Sequence, residues 1–285
     1  MPTIRPAAIA GSFYPGQPQA LARSVEAMLT VVKPAARPTA AAPKAIIAPH
    51  AGYIYSGPVA ASIYALIAPA RARIKRVVLL GPTHRVAIHG MALPGVDAFA
   101  TPLGNISLDA GAVKKLMALP YVGANAEAHR QEHSLEVHLP FLQKVIDDFT
   151  LVPLAIGRAS AQQVATVIDM LWGGEETLIV ISSDLSHYLP YPEAQAVDRA
   201  TTEAILALRT DINHHQACGA TPVIGLNLLA QQRGLEVQLI DLRNSGDTAG
   251  DKVRVVGYGS FAFYESPRPG GEHESPFSLR EKGRG

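Results

Sequence analysis

The chain repeats one local pattern three times: a short apolar run is followed within a few residues by a histidine. The pattern occurs at residues 45–50 (AIIAPH), 76–84 (RVVLLGPTH) and 177–187 (TLIVISSDLSH). Short apolar runs bounded by Pro, Gly or Ser are typical of strands that are buried on both faces. Because segments with helical periodicity lie between these runs, the sequence predicts an α/β fold with a central, largely parallel sheet flanked by helices.

Local signals predict the individual helices and the remaining strands. Helices are predicted at 19–32, 56–70, 109–119, 133–146, 192–208 and 220–234, and further strands at 150–157, 237–243 and 252–264. Ser56 and Asp109 are the predicted N-caps of the second and third helices, and Gly234 is the predicted end of the last. We assign residues 1–264 to a single domain; residues 265–285 are polar and rich in Pro and Gly, and are predicted to be a disordered tail.

Composition excludes several classes of function. The chain has 25 Lys plus Arg against 24 Asp plus Glu, so no basic field favours nucleic acid or a membrane surface. The uncharged stretch 45–70 is interrupted by Pro, Gly and His and does not predict a transmembrane helix. A single cysteine excludes an internal disulfide, which favours a reducing compartment and a cytoplasmic protein. The chain also lacks a phosphate-binding P-loop and a G-x-S-x-G nucleophile motif.

Polar groups follow each of the three strand-like runs. His50 follows the first run, His84 the second, and Asp184 and His187 the third. The carboxyl ends of parallel strands lie at one edge of a sheet, which is where ligands of such folds bind. We therefore expect these four side chains to converge.

The single cysteine, Cys218, precedes the predicted helix at 220–234. Free backbone N–H groups and the helix dipole at that position favour a thiolate. His214 lies four residues before Cys218, and the two can share a helix face as metal ligands. We give this pairing less weight, because Gly219 and Pro222 indicate that the helix begins only after the cysteine.

The segment QEHSLEVHLPF carries Glu132, His133, Glu136 and His138, but it does not match the H-E-x-x-H signature of zinc proteases. The two histidines are five residues apart, about 140° around a regular helix, so they cannot both face one ion. One of them can still face the site, with a glutamate nearby. The alternative is a structural helix start, with Ser134 as the cap and Glu136 in the first turn.

Two imidazoles with a thiolate or a carboxylate form a three-ligand metal site with open positions. Fe(II) takes two histidines and a carboxylate for oxygen chemistry, and a cysteine in place of the carboxylate also admits Zn or Cu. His187 is then a nearby acid or base, with Asp184 either fixing its tautomer or serving as a ligand. Tyr53, Tyr55 and Tyr188 flank the candidate site and either line a pocket or pack structurally.

Seven motifs together resemble the Memo-like family, in order and over about residues 5 to 264. They are GSFYPG (11–16), APHAGYIYSGPVAA (48–61), LGPTH (80–84), TPLG (101–104), EHSLEVHLPF (132–141), SSDLSHY (182–188) and CGATPV (218–223). The resemblance implies a fold similar to that of class III extradiol dioxygenases. It also implies a metal site built from His50, His84 and Cys218, with Asp184 and His187 adjacent. In this resemblance Cys218 takes the place of the glutamate ligand of those dioxygenases.

The resemblance implies Fe(II) as the first choice of metal, with Cu or Zn as alternatives. Family members in bacteria and archaea are often encoded beside an AMMECR-family protein and a radical-SAM protein, which are therefore candidate partners; a homodimer is also compatible with the sequence. Our first hypothesis is an oxygen- or redox-linked oxidoreductase acting on a small or aromatic substrate. The second is a binding module that holds a peptide in the same pocket without turnover, and the third is a zinc hydrolase. The residues assigned to the substrate or peptide pocket are Tyr53, Tyr55, Tyr188, Glu132, His133 and His138.

Overall fold

A computed structural model describes residues 2–32 and 42–265 of the chain. The predicted tail therefore lies outside the described residues, apart from Glu265. The strands are β1 (Ile4–Arg5), β2 (Ala45–Ala48), β3 (Arg76–Pro82), β4 (Met91–Leu93), β5 (Ala98–Thr101), β6 (Gly104–Ser107), β7 (Val122–Ala124), β8 (Thr150–Ile156), β9 (Thr177–Ser182), β10 (His187–Leu189), β11 (Glu236–Asn244) and β12 (Val255–Tyr264). The α-helices are α1 (Pro18–Val31), α2 (Tyr53–Tyr64), α3 (Ala110–Leu116), α4 (Ala126–Arg130), α5 (Leu139–Val145), α6 (Ala161–Met170), α7 (Tyr191–Leu206), α8 (Ala220–Arg233) and α9 (Ser245–Thr248).

The main sheet has the strand order β10-β12-β2-β9-β3-β8-β4-β7, and β11 pairs with β12 outside this path. The four central strands, β2, β9, β3 and β8, are mutually parallel, whereas β12 joins β2 and β4 joins β8 in antiparallel fashion. A smaller sheet has the order β1-β5-β6. The prediction of a central, largely parallel sheet flanked by helices is confirmed.

Alternate residues of the central strands enter two separate apolar cores, one on each face of the sheet. In β2, Ile46 and Ala48 belong to one core, and Ala45 and Ile47 to the other. Helices α1, α2 and α5 contribute to the first core, and α3, α6, α7 and α8 to the second. A strand that is buried on both faces has no polar side to alternate with, which explains the continuous apolar runs in the sequence.

Two predicted helix starts are wrong, although the predicted Asp109 cap of α3 and the left-handed end of α8 at Gly234 are confirmed. Helix α2 begins at Tyr53, and Ser56 lies within its first turn, where its Oγ donates to the carbonyl oxygen of Ala51. Segment 133–146 is not one helix: a 3₁₀ turn at Glu136–His138 leads into α5.

No helix within residues 2–32 and 42–265 is long and apolar enough to cross a membrane.

Candidate metal centre

The ends of β2 and β3 place His50 and His84 at the same edge of the sheet. Both strands pair with β9, which lies between them, so their carboxyl ends point in the same direction. Each histidine follows the last residue of its strand by two positions. The centroids of the two imidazole rings are 5.2 Å apart, and the structure therefore brings together the first two predicted strand-end groups.

A third imidazole, that of His133, joins this pair. Its ring stacks on His84 at 4.5 Å and meets His50 edge-on at 5.5 Å. One ring nitrogen from each of the three histidines lies within 4.8 Å of the other two, which is close enough for one metal ion to contact all three. The sequence predicts His133 as a residue of the substrate or peptide pocket, whereas the structure places it among the three clustered imidazole nitrogen donors.

A buried carboxylate, Glu132, lies behind His84 and His133. Its Oε1 accepts from His84 Nδ1 at 2.8 Å and from the backbone N–H groups of His133 and Ser134, while its Oε2 accepts from the backbone N–H of His84 at 2.6 Å. Burial alone would raise the pKa of Glu132, but these hydrogen bonds outweigh it and lower the pKa to about 2. The ionised carboxylate keeps the proton of His84 on Nδ1, so that Nε2 is left as a lone pair for a metal.

The hydroxyl of Ser182 fixes the tautomer of His50. Ser182 Oγ donates to the carbonyl oxygen of Ser134 at 2.6 Å, so it can only accept from its other two partners. Those partners are His50 Nδ1 at 2.6 Å and His138 Nε2 at 2.8 Å. His138 in turn accepts from the Tyr64 hydroxyl through Nδ1 at 2.9 Å. His50 therefore carries its proton on Nδ1 and presents the lone pair of Nε2 to the cluster.

The segment that carries Glu132 and His133 is held by a second buried carboxylate, Glu136. This carboxylate accepts from Arg5 Nη1 and from the Tyr14 hydroxyl, each at 2.6 Å, and from the backbone N–H groups of Ala8 and Ile9. Glu136 therefore has a structural role. It anchors the segment through these contacts, and not as the acidic residue in the first turn of a helix capped by Ser134. Ser134 does not cap a helix either, because its hydroxyl donates to the carbonyl oxygen of Pro82.

The donor set fits a metal ion. Burial, reinforced by neighbouring imidazoles, lowers the pKa of His50 well below its ordinary value and that of His133 to about 4. Both rings are therefore neutral at physiological pH, which is the state that binds metals. In addition, Nδ1 of His133 is buried and makes no hydrogen bond, although it lies 3.3 Å from Glu132 Oε1.

Cys218 borders the cluster next to His50. Its Sγ lies 3.3 Å from His50 Nε2 and accepts from the backbone N–H of Asp184, whose carbonyl oxygen accepts from the backbone N–H of Cys218. Burial, followed by the Asp184 carboxyl, raises the pKa of Cys218 to about 12, so the expected stabilisation of a thiolate by the helix start is wrong. Both ring nitrogens of His214 are engaged elsewhere, by the carbonyl oxygen of Cys218 and by Thr221 Oγ1.

Asp184 follows β9 by two positions and His187 begins β10, but the two side chains do not make the expected contact with each other. Asp184 Oδ1 accepts from the backbone N–H of His50 at 2.7 Å, and burial raises the pKa of Asp184 to about 7. His187 Nδ1 instead donates to the carbonyl oxygen of Leu185 at 2.8 Å. The backbone therefore fixes the tautomer of His187 and leaves its Nε2 free to accept a proton.

The predicted pocket residues divide into two groups. Tyr53 and His138 are buried behind the cluster, as is Glu132; the Tyr53 hydroxyl donates to the carbonyl oxygen of Val137, and its ring packs on Phe141. These three residues support the site and do not line an open pocket. Tyr55 and Tyr188, in contrast, are exposed.

A cavity of about 380 Å³ opens beside His84 and Cys218. Its wall is formed by residues at and just beyond the ends of β3 and β8, with His214 beside Cys218. This volume is in the range of small-molecule sites. Ser182 is not among the predicted site residues, although the serine pair that ends the apolar run before Asp184 is a signal for it in the sequence.

The chain is similar to known proteins over most of its length. The model of a family described as Memo-like protein matches residues 5–262. Three proteins named MEMO1 family protein are similar over most of the chain. The one from Aquifex aeolicus is 35% identical over 270 residues (90% of this chain, 97% of that protein), that from Archaeoglobus fulgidus 32% over 275 residues (90% and 97%), and that from Aeropyrum pernix 35% over 277 residues (90% and 98%). A crystal structure of an uncharacterized Escherichia coli K12 protein is 13% identical with a TM-score of 0.46, covering 76% of this chain and 98% of that one.

Proposed function

Since the chain belongs to the Memo-like family, we propose that it is a metal-binding protein with a mononuclear site at the carboxyl edge of its sheet. His50, His84 and His133 would hold the ion through neutral imidazole nitrogens, and Cys218 would add a sulfur ligand. The observation that carries this proposal is the cluster of three ring nitrogens within 4.8 Å. Glu132 and Ser182 stand behind it as the outer contacts that orient metal-binding histidines.

We infer an oxygen- or redox-linked reaction on a small or aromatic substrate. Imidazole nitrogens and a cysteine sulfur suit iron, copper and zinc, and Cys218 would lose its thiol proton on binding the ion. We propose Fe(II) first, with Cu or Zn as alternatives; a bound iron or copper ion would supply the redox chemistry. His187 serves as the acid or base, since Leu185 holds its proton on Nδ1 and leaves Nε2 to accept another. The lining residues Ala87 and Ile88 have apolar side chains, so this part of the cavity offers no competing polar side-chain group.

Metal content tests the proposal directly. Protein purified without chelators in the absence of oxygen should hold close to one equivalent of iron or copper, measured by inductively coupled plasma mass spectrometry. His50→Ala and His84→Ala should lose the ion. His214→Ala is the matched control, because this histidine lines the same cavity but both its ring nitrogens are engaged. Full occupancy in both His50→Ala and His84→Ala contradicts the proposed site.

The same measurement on His133→Ala and Cys218→Ala distinguishes between the two remaining donors. A ligand contributes several kcal/mol, so loss of either should reduce occupancy, whereas a side chain that only borders the site leaves it unchanged. If only Cys218→Ala loses metal, the set is two histidines and a cysteine. If only His133→Ala does, it is three histidines.

A second candidate function, a peptide-binding module, is favoured by one observation. Ile54, Tyr55 and Tyr188 are exposed, with Ile54 at 68% and Tyr188 at 62%. Tyr55 and Tyr188 both raise the pKa of buried Tyr258, after burial and Asp184, so the three phenols are neighbours. Peptide binding that survives chelation and is lost in Tyr188→Ala would support this function, and binding that disappears with the metal would argue against it.

A further inference from the structure

The carboxyl edge of the sheet carries a further charged group, Arg158, at the end of β8. Strands β3 and β8 pair in parallel with Pro82 opposite Ile156. His84 lies two residues beyond Pro82, and Arg158 lies two residues beyond Ile156, so the two occupy equivalent positions on neighbouring strands. Arg158 is held there by backbone hydrogen bonds to Ile88 and Gly90.

Arg158 lines the 380 Å³ cavity together with His84 and Cys218. No acidic residue belongs to the described lining, and Arg158 is its one permanently charged side chain. His214, the other basic residue besides His84, has both ring nitrogens engaged. Within residues 2–32 and 42–265, the guanidinium of Arg158 has no ion pair and no hydrogen bond. The guanidinium therefore faces a lining in which no carboxylate competes for it, because the ionised Glu132 lies behind His84 and is engaged there.

The rest of the lining determines what kind of anion fits. Ala87 and Ile88 are apolar lining residues that are not fully buried. The backbone N–H groups of Thr83, Gly157 and Arg158 are used in bonds to other carbonyl oxygens. These three backbone N–H groups are therefore not available to bind a small inorganic anion. A ligand with one anionic end and an apolar body matches both parts of the lining.

We propose that this cavity binds a small organic carboxylate, with the carboxylate on Arg158 and the apolar body against Ala87 and Ile88. The planar guanidinium donates two parallel N–H groups to a carboxylate, which gives both charge pairing and orientation. A ligand oriented in this way extends toward His84 and Cys218. That it is the substrate rests on the proposed function, whereas the preference for a carboxylate depends only on residues of this chain.

Binding of benzoate and its neutral isostere benzamide to the metal-free protein tests the proposal. Both are titrated by calorimetry after chelation, so that direct coordination of the carboxylate by a metal does not contribute. Benzoate should bind at least about tenfold more tightly than benzamide, as expected for a charge-assisted contact. Arg158→Ala should abolish this preference, and Arg158→Lys should keep only part of it, because a lysine retains the charge but not the fork.

Arg71→Ala is the matched control. Arg71 pairs with Asp147 and precedes β3, so it lies toward the opposite edge of the sheet. Its removal should leave the preference for benzoate unchanged. Equal affinities for benzoate and benzamide, or an unchanged preference in Arg158→Ala, would overturn the proposal. Tighter binding of phenylphosphonate than of benzoate would overturn the assignment to a carboxylate.

The outcome is independent of the metal site. Circular dichroism confirms that each variant is folded, and the metal content of Arg158→Ala should equal that of the wild type, because Arg158 is not among the proposed donors. If the protein takes up no metal but prefers benzoate through Arg158, the proposed function fails and the carboxylate site stands. If it holds metal without that preference, the carboxylate site fails and the proposed function stands.

Discussion

Replacing Glu132 by glutamine tests the reasoning about the centre most sharply, because it changes one atom of a buried side chain. The carboxylate accepts hydrogen bonds from four N–H groups, three on Oε1 and one on Oε2. A glutamine has one acceptor oxygen and one NH₂ group. If the amide oxygen of the glutamine accepts the three hydrogen bonds that Oε1 accepts in the wild type, its NH₂ group takes the place of Oε2. That NH₂ group then faces the backbone N–H of His84, and neither donor has an acceptor.

Two quantities should change. The fall of the Glu132 pKa from 4.5 to about 2 corresponds to about 3 kcal/mol of unfolding free energy. Because the pKa is lower in the folded state, this contribution is present above pH 4.5 and is lost as the pH falls through about 2. Glu132→Gln should therefore reduce the free energy of unfolding at pH 7 by up to about 3 kcal/mol. It should also weaken metal binding by about 10- to 100-fold, the usual effect of removing a partner of a metal-binding histidine.

Urea unfolding at pH 7 and competition with a chelator measure these two effects. Glu127→Gln is the control: Glu127 is a surface glutamate on the neighbouring helix α4, paired only with Arg130, and its replacement should change neither quantity. If Glu132→Gln binds metal as tightly as the wild type, then Glu132 does not orient the imidazoles, and the interpretation of the centre is wrong.

Two further predictions follow from particular contacts. A Cβ on Gly219 would lie 2.6 Å from the carbonyl oxygen of Ser182, so Gly219→Ala should lower the free energy of unfolding by about 1–3 kcal/mol. Gly123→Ala is the control: a Cβ there has no neighbour within 4 Å, and this variant should unfold in urea as the wild type does. Burial lowers the pKa of His129 from 6.5 to about 4. Below pH 6.5 the imidazole is therefore protonated in the unfolded chain but not in the folded protein, and the free energy of unfolding falls by about 3 kcal/mol between pH 6.5 and pH 4. In His129→Gln, urea unfolding between pH 4 and 7 should show a smaller pH dependence; an unchanged dependence would contradict this assignment.

The arrangement of the sheet could be predicted because the relevant information is local. Apolar runs such as 76–82 are continuous along the chain and predict strands. The polar residues that follow such a run therefore lie at the end of its strand. Strands that run parallel in one sheet then bring His50 and His84 to the same edge without any knowledge of side-chain packing. This step needs only the order of elements and the rule for where ligands bind in such sheets.

The third imidazole could not be predicted in the same way. His133 reaches the cluster because segment 131–135 is not helical, and that conformation depends on contacts of Glu136 with residues more than 120 positions away. Likewise, α2 begins at Tyr53 and not at Ser56, because the backbone N–H of Tyr53 finds a partner in the carbonyl oxygen of Phe13. Local cap signals do not record such long-range partners.

The electrostatic predictions failed where burial was unknown. A helix start was expected to favour a thiolate at Cys218, but desolvation is the larger effect, and the thiol pKa rises to about 12. The sequence predicts the Asp184 carboxyl as the group that fixes the tautomer of His187, whereas in the structure the backbone carbonyl group of Leu185 does so. Sequence identifies side chains as donors and acceptors, but every residue offers a carbonyl oxygen, so such a partner leaves no signal.

The strand-end arrangement has a consequence for engineering. Ala48 pairs with Ser182 as Pro82 pairs with Ile156, so His50 and Asp184 occupy equivalent positions on β2 and β9, just as His84 and Arg158 do on β3 and β8. All four lie beyond the parallel ladders of these strands, and the backbone hydrogen bonds of Arg158 with Ile88 and Gly90 do not involve its side chain. The side chains can therefore be exchanged without removing a ladder hydrogen bond. A library that varies these positions would sample different ligand and charge combinations on an unchanged sheet, and new metal or substrate preferences could be selected from it.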